Sequence, residues 1–118
     1  MPSLSVEDVP RAVEFYTNYL GFEAVFRNGI TFAIVCRDDV ELSLSQTAYL
    51  RKSLPAAGAS SCYCKLSDGI DALYAEYRSY GVSILHPLRD ESYGMREFMI
   101  ADIDGNLINF GQPISASE

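Results

Sequence analysis

The chain repeats itself at a spacing of 60 residues. Val6-Glu7-Asp8 falls on Leu66-Ser67-Asp68, Ala12-Val13 on Ala72-Leu73, and Gly21-Phe22 on Gly81-Val82. Identity between the copies is low, yet each keeps a strand, a cap, an apolar helix face and a glycine stop in register. Such symmetry confines the fold to architectures built from two copies of one unit.

In the first copy Asp8 is a good N-cap, since its carboxylate can accept orphan backbone N–H groups. Pro10 sits in the first turn, where its missing N–H costs nothing. Val9, Ala12, Val13, Tyr16, Tyr19 and Leu20 recur at helical spacing, and Gly21 suits the left-handed position after the helix. In the second copy Asp68 or Gly69 begins a helix, Ile70, Leu73, Tyr74, Tyr77 and Tyr80 make its apolar face, and Gly81 ends it. Strands are expected at Leu4 to Val6, Phe22 to Arg27, Ile30 to Cys36 and Val40 to Gln46. In the second half they fall at Ser60 to Leu66, Val82 to Leu85, Met95 to Ala101 and Leu107 to Gly111. Asn28-Gly29 is a hairpin signal, and Asp104-Gly105-Asn106 marks a tight turn in which Asp102 and Asp104 serve Asx hydrogen bonding.

Each half thus reads β-α-β-β-β, an α+β fold of two βαβββ modules within a single domain, 1–118. The first module is 1–46, the linker 47–59 and the second module 60–112. The linker contains Pro55, Gly58 and several alanines, and a short helix is expected around Tyr49-Leu50. The tail from Pro113 is expected to be loose. One module leaves open sheet edges, and two modules, or four in a dimer, enclose a concavity where a ligand site belongs.

Charge narrows the partners. With 9 Lys and Arg against 16 Asp and Glu, the net charge is −7, which disfavours nucleic acid and anionic membrane and favours cationic or neutral small ligands. The first residues lack the basic-then-apolar pattern of an export signal, so none is expected, and no apolar run reaches bilayer length. Cys36, Cys62 and Cys64 are read as reduced thiols of a cytoplasmic protein. Cys62 and Cys64 share a strand face, and core filling is the ordinary reading of both.

Four stretches carry a family resemblance: Asp8-Val9-Pro10-Arg11-Ala12-Val13-Glu14-Phe15-Tyr16, Tyr19-Leu20-Gly21-Phe22, Gly94-Met95-Arg96-Glu97-Phe98 and Asp102-Ile103-Asp104-Gly105-Asn106. With the paired modules, they resemble the vicinal oxygen chelate superfamily of glyoxalase I, extradiol dioxygenases and bleomycin resistance proteins. The resemblance places the metal-ligand positions of the enzymes at Met1, Glu41, Ser61 and Asn109. A transition metal wants three or four imidazole, carboxylate or thiolate donors, and of these four only Glu41 qualifies. The single histidine, His86, precedes a proline at a strand end and is expected to lie away from them. No metal and no cofactor are therefore expected.

The resemblance is nearest to the metal-free, bleomycin resistance branch, whose members bind drug in clefts at a dimer interface and exchange a proline-bearing N-terminal arm. It implies a domain-swapped homodimer here, with Pro2 in the arm. It also implies a metal-independent binding protein that sequesters a cationic, partly aromatic molecule, with bleomycin-type antibiotics as the first candidates. The alternative is a metal-dependent lyase or isomerase of the same superfamily. The ligand-binding residues it suggests are Phe32, Tyr63 and Tyr93. Phe32 and Tyr63 each have two readings, as core residues or as cleft walls, whereas Tyr93 lies in a polar loop. Arg96 and Glu97 are read as structural, and the acid pairs Asp38-Asp39 and Asp90-Glu91 as solvated loop charges.

Overall fold

The computed structural model describes residues 1–46 and 60–114. The first module runs β1 (Ser3–Val6), α1 (Val9–Asn18), β2 (Glu23–Asn28), β3 (Phe32–Arg37) and β4 (Val40–Gln46). The second runs β5 (Ser61–Lys65), α2 (Ile70–Ser79), β6 (Ser83–Asp90), β7 (Met95–Ala101) and β8 (Leu107–Pro113). The strand orders are β1-β4-β3-β2 and β5-β8-β7-β6, the same topology twice. In each sheet the first strand pairs parallel with the last and the other pairs are antiparallel. The repeat seen in the sequence is therefore a repeat of fold. The expected short helix around Tyr49-Leu50 lies outside the described residues.

Local chemistry accounts for the elements. The Asp8 side chain accepts from the Arg11 N–H at 3.0 Å, and Pro10 occupies the first turn of α1. Gly21 and Gly81 take φ of 73° and 75°, turning the chain out of each helix where a Cβ would be strained. Val9, Ala12, Val13 and Tyr16 of α1 are buried, and Ala33, Val35, Leu42 and Leu44 of its sheet join the same core. In the second module Tyr77 packs on Phe98 and Phe110, whose rings stack at 5.3 Å. Among the described residues, each sheet therefore has one face covered by its helix and one face that no helix covers.

The modules are joined through polar contacts. Tyr16 donates to Asp102 at 2.8 Å in a buried bond, and the Asn106 amide donates to the Ser5 carbonyl at 3.0 Å. Asp102 meanwhile accepts from the N–H groups of Asp104 and Asn106 at 2.9 Å each, the Asx pattern expected of this turn. On the helix side Arg37 makes two bonds to Glu76, at 2.7 and 2.8 Å, and one to the Leu20 carbonyl at 2.8 Å.

Several local expectations are corrected. Tyr19 and Tyr80 are half exposed rather than core, because each is the C-cap residue where its chain leaves the helix. The Asn28-Gly29 hairpin has a three-residue loop: Asn28 pairs with Phe32, leaving Gly29, Ile30 and Thr31 to turn. Strand β6 continues past Leu85 to Asp90, carrying Pro87 on an outer strand with register breaks on either side of His86, which is where a sheet tolerates proline. The tail is not loose at Pro113: β8 includes it, and the Ile114 N–H donates to the Gly94 carbonyl at 2.9 Å. The acid pairs are engaged rather than merely solvated. Asp39 accepts from the Ser67 hydroxyl at 2.7 Å, Asp90 pairs with Arg96, and Glu91 pairs with Arg89.

Candidate functional site: a tyrosine–carboxylate cluster on a helix-free sheet face

Alternation along β7 places Phe98 and Ile100 under the helix and Glu97 and Met99 on the opposite face. The register continues that face across the sheet as a row His86, Met99, Asn109 and Tyr63. The next row holds Arg89, Glu97, Gly111 and Lys65.

Glu97 is the centre of this face. It is only 7% exposed, and each of its carboxylate oxygens receives a tyrosine hydroxyl. Tyr63 donates to Oε2 and Tyr93 to Oε1, both at 2.7 Å. A buried carboxylate needs such donors, since burying an unpaired charge is costly. Tyr63 reaches it by lying across Gly111. A Cβ at residue 111 would overlap the Tyr63 hydroxyl and come within 2.5 Å of Cζ. Glycine in this strand is thus explained by a close side-chain approach.

The hydroxyls respond as expected beside an anion. The Tyr93 hydroxyl is pushed up to about 12, chiefly by its bond to Glu97. That of Tyr63 is also raised, first by burial of the hydroxyl and then by Glu97. Both tyrosines therefore stay protonated donors at neutral pH, while their rings remain accessible: Tyr63 is 44% and Tyr93 is 65% exposed. Beside them, a cavity of about 200 Å³ is lined by His86, Arg89, Tyr93, Glu97 and Asn109 among others.

Phe32 lies on the other module's sheet, on the face turned away from α1. It is half buried and meets Phe26 edge-on at 6.1 Å, and Phe26 is 51% exposed. Behind them the same face is lined by Ser43 and Ser45. Of the three residues singled out in the sequence, the structure brings Tyr63 and Tyr93 together on one carboxylate and leaves Phe32 on a separate aromatic patch. None of the three is a core residue.

Glu97, read from the sequence as structural, is the anchor of the cluster. The alternation of Met95, Glu97 and Met99 against Phe98 and Ile100 could have placed it on the helix-free face. Gly111 inside a strand was a second available signal. His86, expected apart from Asn109, shares a row and a cavity with it, because β6 runs on through Pro87 and carries it there.

A larger cavity, about 560 Å³, lies elsewhere, at the module junction on the helix side. Its walls are core side chains such as Phe22, Leu73, Tyr77 and Phe110, together with the Arg37–Glu76 pair. Those groups already satisfy one another, so the helix-free face, with exposed rings around a buried charge, is the better candidate site.

The positions implied for a metal do not form a donor set. Met1 and Glu41 line a cleft of about 250 Å³ with Tyr63 and Lys65, but a thioether, a hydroxyl and an amide do not replace imidazole or carboxylate. Among the described residues no three His, Cys, Asp or Glu side chains gather closely enough to hold a metal ion. Among the same residues no helix is long and apolar enough to cross a membrane.

Comparison with known proteins agrees with this architecture. A family model, the Glyoxalase/Bleomycin resistance protein/Dioxygenase superfamily, matches residues 2–110. A bleomycin resistance protein of Geobacillus stearothermophilus is 32% identical, over 98% of this chain and 97% of that protein. Among solved structures, the bleomycin-binding protein from bleomycin-producing Streptomyces verticillus, in complex with copper(II)-bleomycin, is similar with a TM-score of 0.73. It is 32% identical, over 92% of this chain and 90% of that one. A bleomycin-binding protein complexed with bleomycin is similar with a TM-score of 0.76 and 27% identity, over 95% of both chains. Twin βαβββ modules, the motifs on their helices and turns, and these matches lead to one conclusion: the chain belongs to the glyoxalase/bleomycin resistance protein/dioxygenase superfamily.

Proposed function

We infer that the protein is a binding protein of the bleomycin resistance type, which sequesters a cationic, partly aromatic molecule without a metal and without turnover. The observation that carries this reading is the pair of exposed tyrosine rings held in place by Glu97. Rigid aromatic faces suit flat heteroaromatic groups, and fixing them in advance lowers the entropic cost of binding. The net charge of −7 favours a positively charged tail. Support for bleomycin-type glycopeptides comes from the similarity to the bleomycin resistance and bleomycin-binding proteins.

The ligand cleft lies at the interface of a homodimer. Phe32 and Tyr93 sit on different sheets of one chain, so the sandwich we envisage joins Phe32 of one subunit to Tyr93 of the other. In the single chain the arm is tied to its own module, with the Pro2 carbonyl accepting from the Ser43 N–H at 2.9 Å. In the dimer that bond is made to the partner's fourth strand. A metal-dependent lyase or isomerase is disfavoured by the donor chemistry of Met1, Glu41, Ser61 and Asn109.

Calorimetry with a bleomycin-type ligand tests the reading. Tyr93→Ala is expected to weaken binding roughly tenfold, Tyr93→Trp to retain it, and added salt to weaken it further. Affinity that ignores both substitutions removes Tyr93 from the site.

A further inference from the structure

We propose that Cys62 and Cys64 form a second, separate binding site: a dithiol chelate for a trivalent organoarsenical. Both are free thiols on the face of β5 opposite Tyr63, two residues apart on one strand. Their sulfurs stand 3.9 Å apart. Two sulfurs at ~2.3 Å from a tetrahedral centre are about 3.8 Å apart; arsenic(III) is pyramidal, with a narrower S–As–S angle, so it draws its two sulfurs somewhat closer than the 3.9 Å seen here, a difference that small rotations about the Cα–Cβ bonds close. A disulfide would need that gap closed to ~2.05 Å, which bends an extended strand, whereas a bridging centre does not. Thiolate pairs select soft, thiophilic centres.

The choice of ligand follows from the missing third donor. Among the described residues no further Cys, His, Asp or Glu joins the two thiols, so a four-ligand zinc site cannot form from them. A mono-substituted arsenic(III) brings its own third substituent and asks the protein for two sulfurs. Cys62, partly buried at the margin of the core, is the more accessible sulfur, while Cys64, 5% exposed, closes the inner side of the site. The Cys64 thiol hydrogen-bonds to Cys62 and lowers the latter's pKa, which makes Cys62 the sulfur that attacks first. The reaction balances without an oxidant. A dihydroxy-arsenical, R–As(OH)2, exchanges two As–O bonds for two As–S bonds, and the two thiol protons leave with the hydroxyls as two waters.

The probe is phenylarsine oxide, titrated into reduced full-length protein free of small thiols and followed by intact mass and by counting the thiols that remain reactive. One phenylarsenic group per chain is expected, protecting two of the three cysteines and released by a dithiol more readily than by a monothiol. Cys36→Ser should retain binding, whereas Cys62→Ser and Cys64→Ser should each weaken it at least tenfold. Because Cys62 is less buried than Cys64, its variant decides the matter even if Cys64→Ser does not fold. Tyr93→Ala should leave arsenical binding unchanged, which separates this site from the tyrosine cluster. No adduct, capture by Cys36 alone, or unchanged affinity in Cys62→Ser would overturn the proposal.

Discussion

Replacing Gly111 by alanine probes the tyrosine cluster without touching a polar group. The new methyl would overlap the Tyr63 hydroxyl, with the ring's Cζ at 2.5 Å and Cε1 at 3.2 Å. The obstacle is the far end of a side chain, so the ring swings away and its bond to Glu97 is lost. Hydrogen bonds to charged groups contribute about 1.5–3 kcal/mol, and the low end applies here because Tyr63 is 44% exposed. Against this, alanine gains ~0.5–1 kcal/mol over glycine in a strand. The net expectation is a loss of roughly 0.5–1 kcal/mol, read from urea midpoints.

The sharper test is the cycle with Tyr63→Ala. In that background there is no ring to displace, and Gly111→Ala should stabilise by ~0.5–1 kcal/mol. The two substitutions should therefore couple by about 1.5 kcal/mol, far beyond the ~0.5 kcal/mol expected of independent sites. Ultraviolet titration supplies a second readout, in which the raised Tyr63 hydroxyl should fall back toward its ordinary value in Gly111→Ala. Additive effects, with an unmoved tyrosine titration, would refute the contact as the reason for glycine. The sign with pH follows from the same geometry. Both hydroxyls titrate above the unfolded value of ~10, so their contribution is full below that pH. It is lost as pH rises through the folded values, about 12 for Tyr93.

Three further outcomes are expected. Glu76→Gln should cost about 1–2 kcal/mol, since it removes the closer of the two anions paired with the part-buried Arg37 and leaves only the exposed Asp38 at 3.8 Å. The Arg37 guanidinium holds the Glu76 carboxyl below its usual range. The wild-type contribution is therefore present above the unfolded value of ~4.3 and lost as pH falls through the lower folded value, and acid unfolding of the variant should lack this component. Light scattering should give a dimer mass at micromolar concentration, and deleting residues 1–5 should weaken that dimer; an unchanged dimer would argue against arm exchange.

Much of the fold was legible because its rules are local. Asp8 and Pro10 declare a helix start, Gly21 and Gly81 declare its end, and the 60-residue echo pairs the modules. What sequence alone does not show is tertiary. Tyr19 and Tyr80 fit a helical stripe, yet the chain turns at both, so they face solvent. Strand β6 hides its second half behind Pro87, which reads as a breaker but is accommodated at a register break on the sheet's outer strand. The site was half visible. The sequence points to Tyr63 and Tyr93, but their meeting on one carboxylate depends on the β7–β8–β5 register and on a side chain crossing Gly111. Glu97 looked structural because a lone glutamate in a strand gives no sign of which residues it will hold.

The central claim is that this chain binds a bleomycin-type ligand with its own side chains alone. Isothermal titration of metal-free bleomycin into chelator-dialysed protein tests it most directly. Saturable heat approaching one ligand per chain, with the ligand recovered chemically unchanged, is the result the account predicts. No heat, heat only after a divalent metal is restored to the protein, or a chemically altered ligand would contradict it.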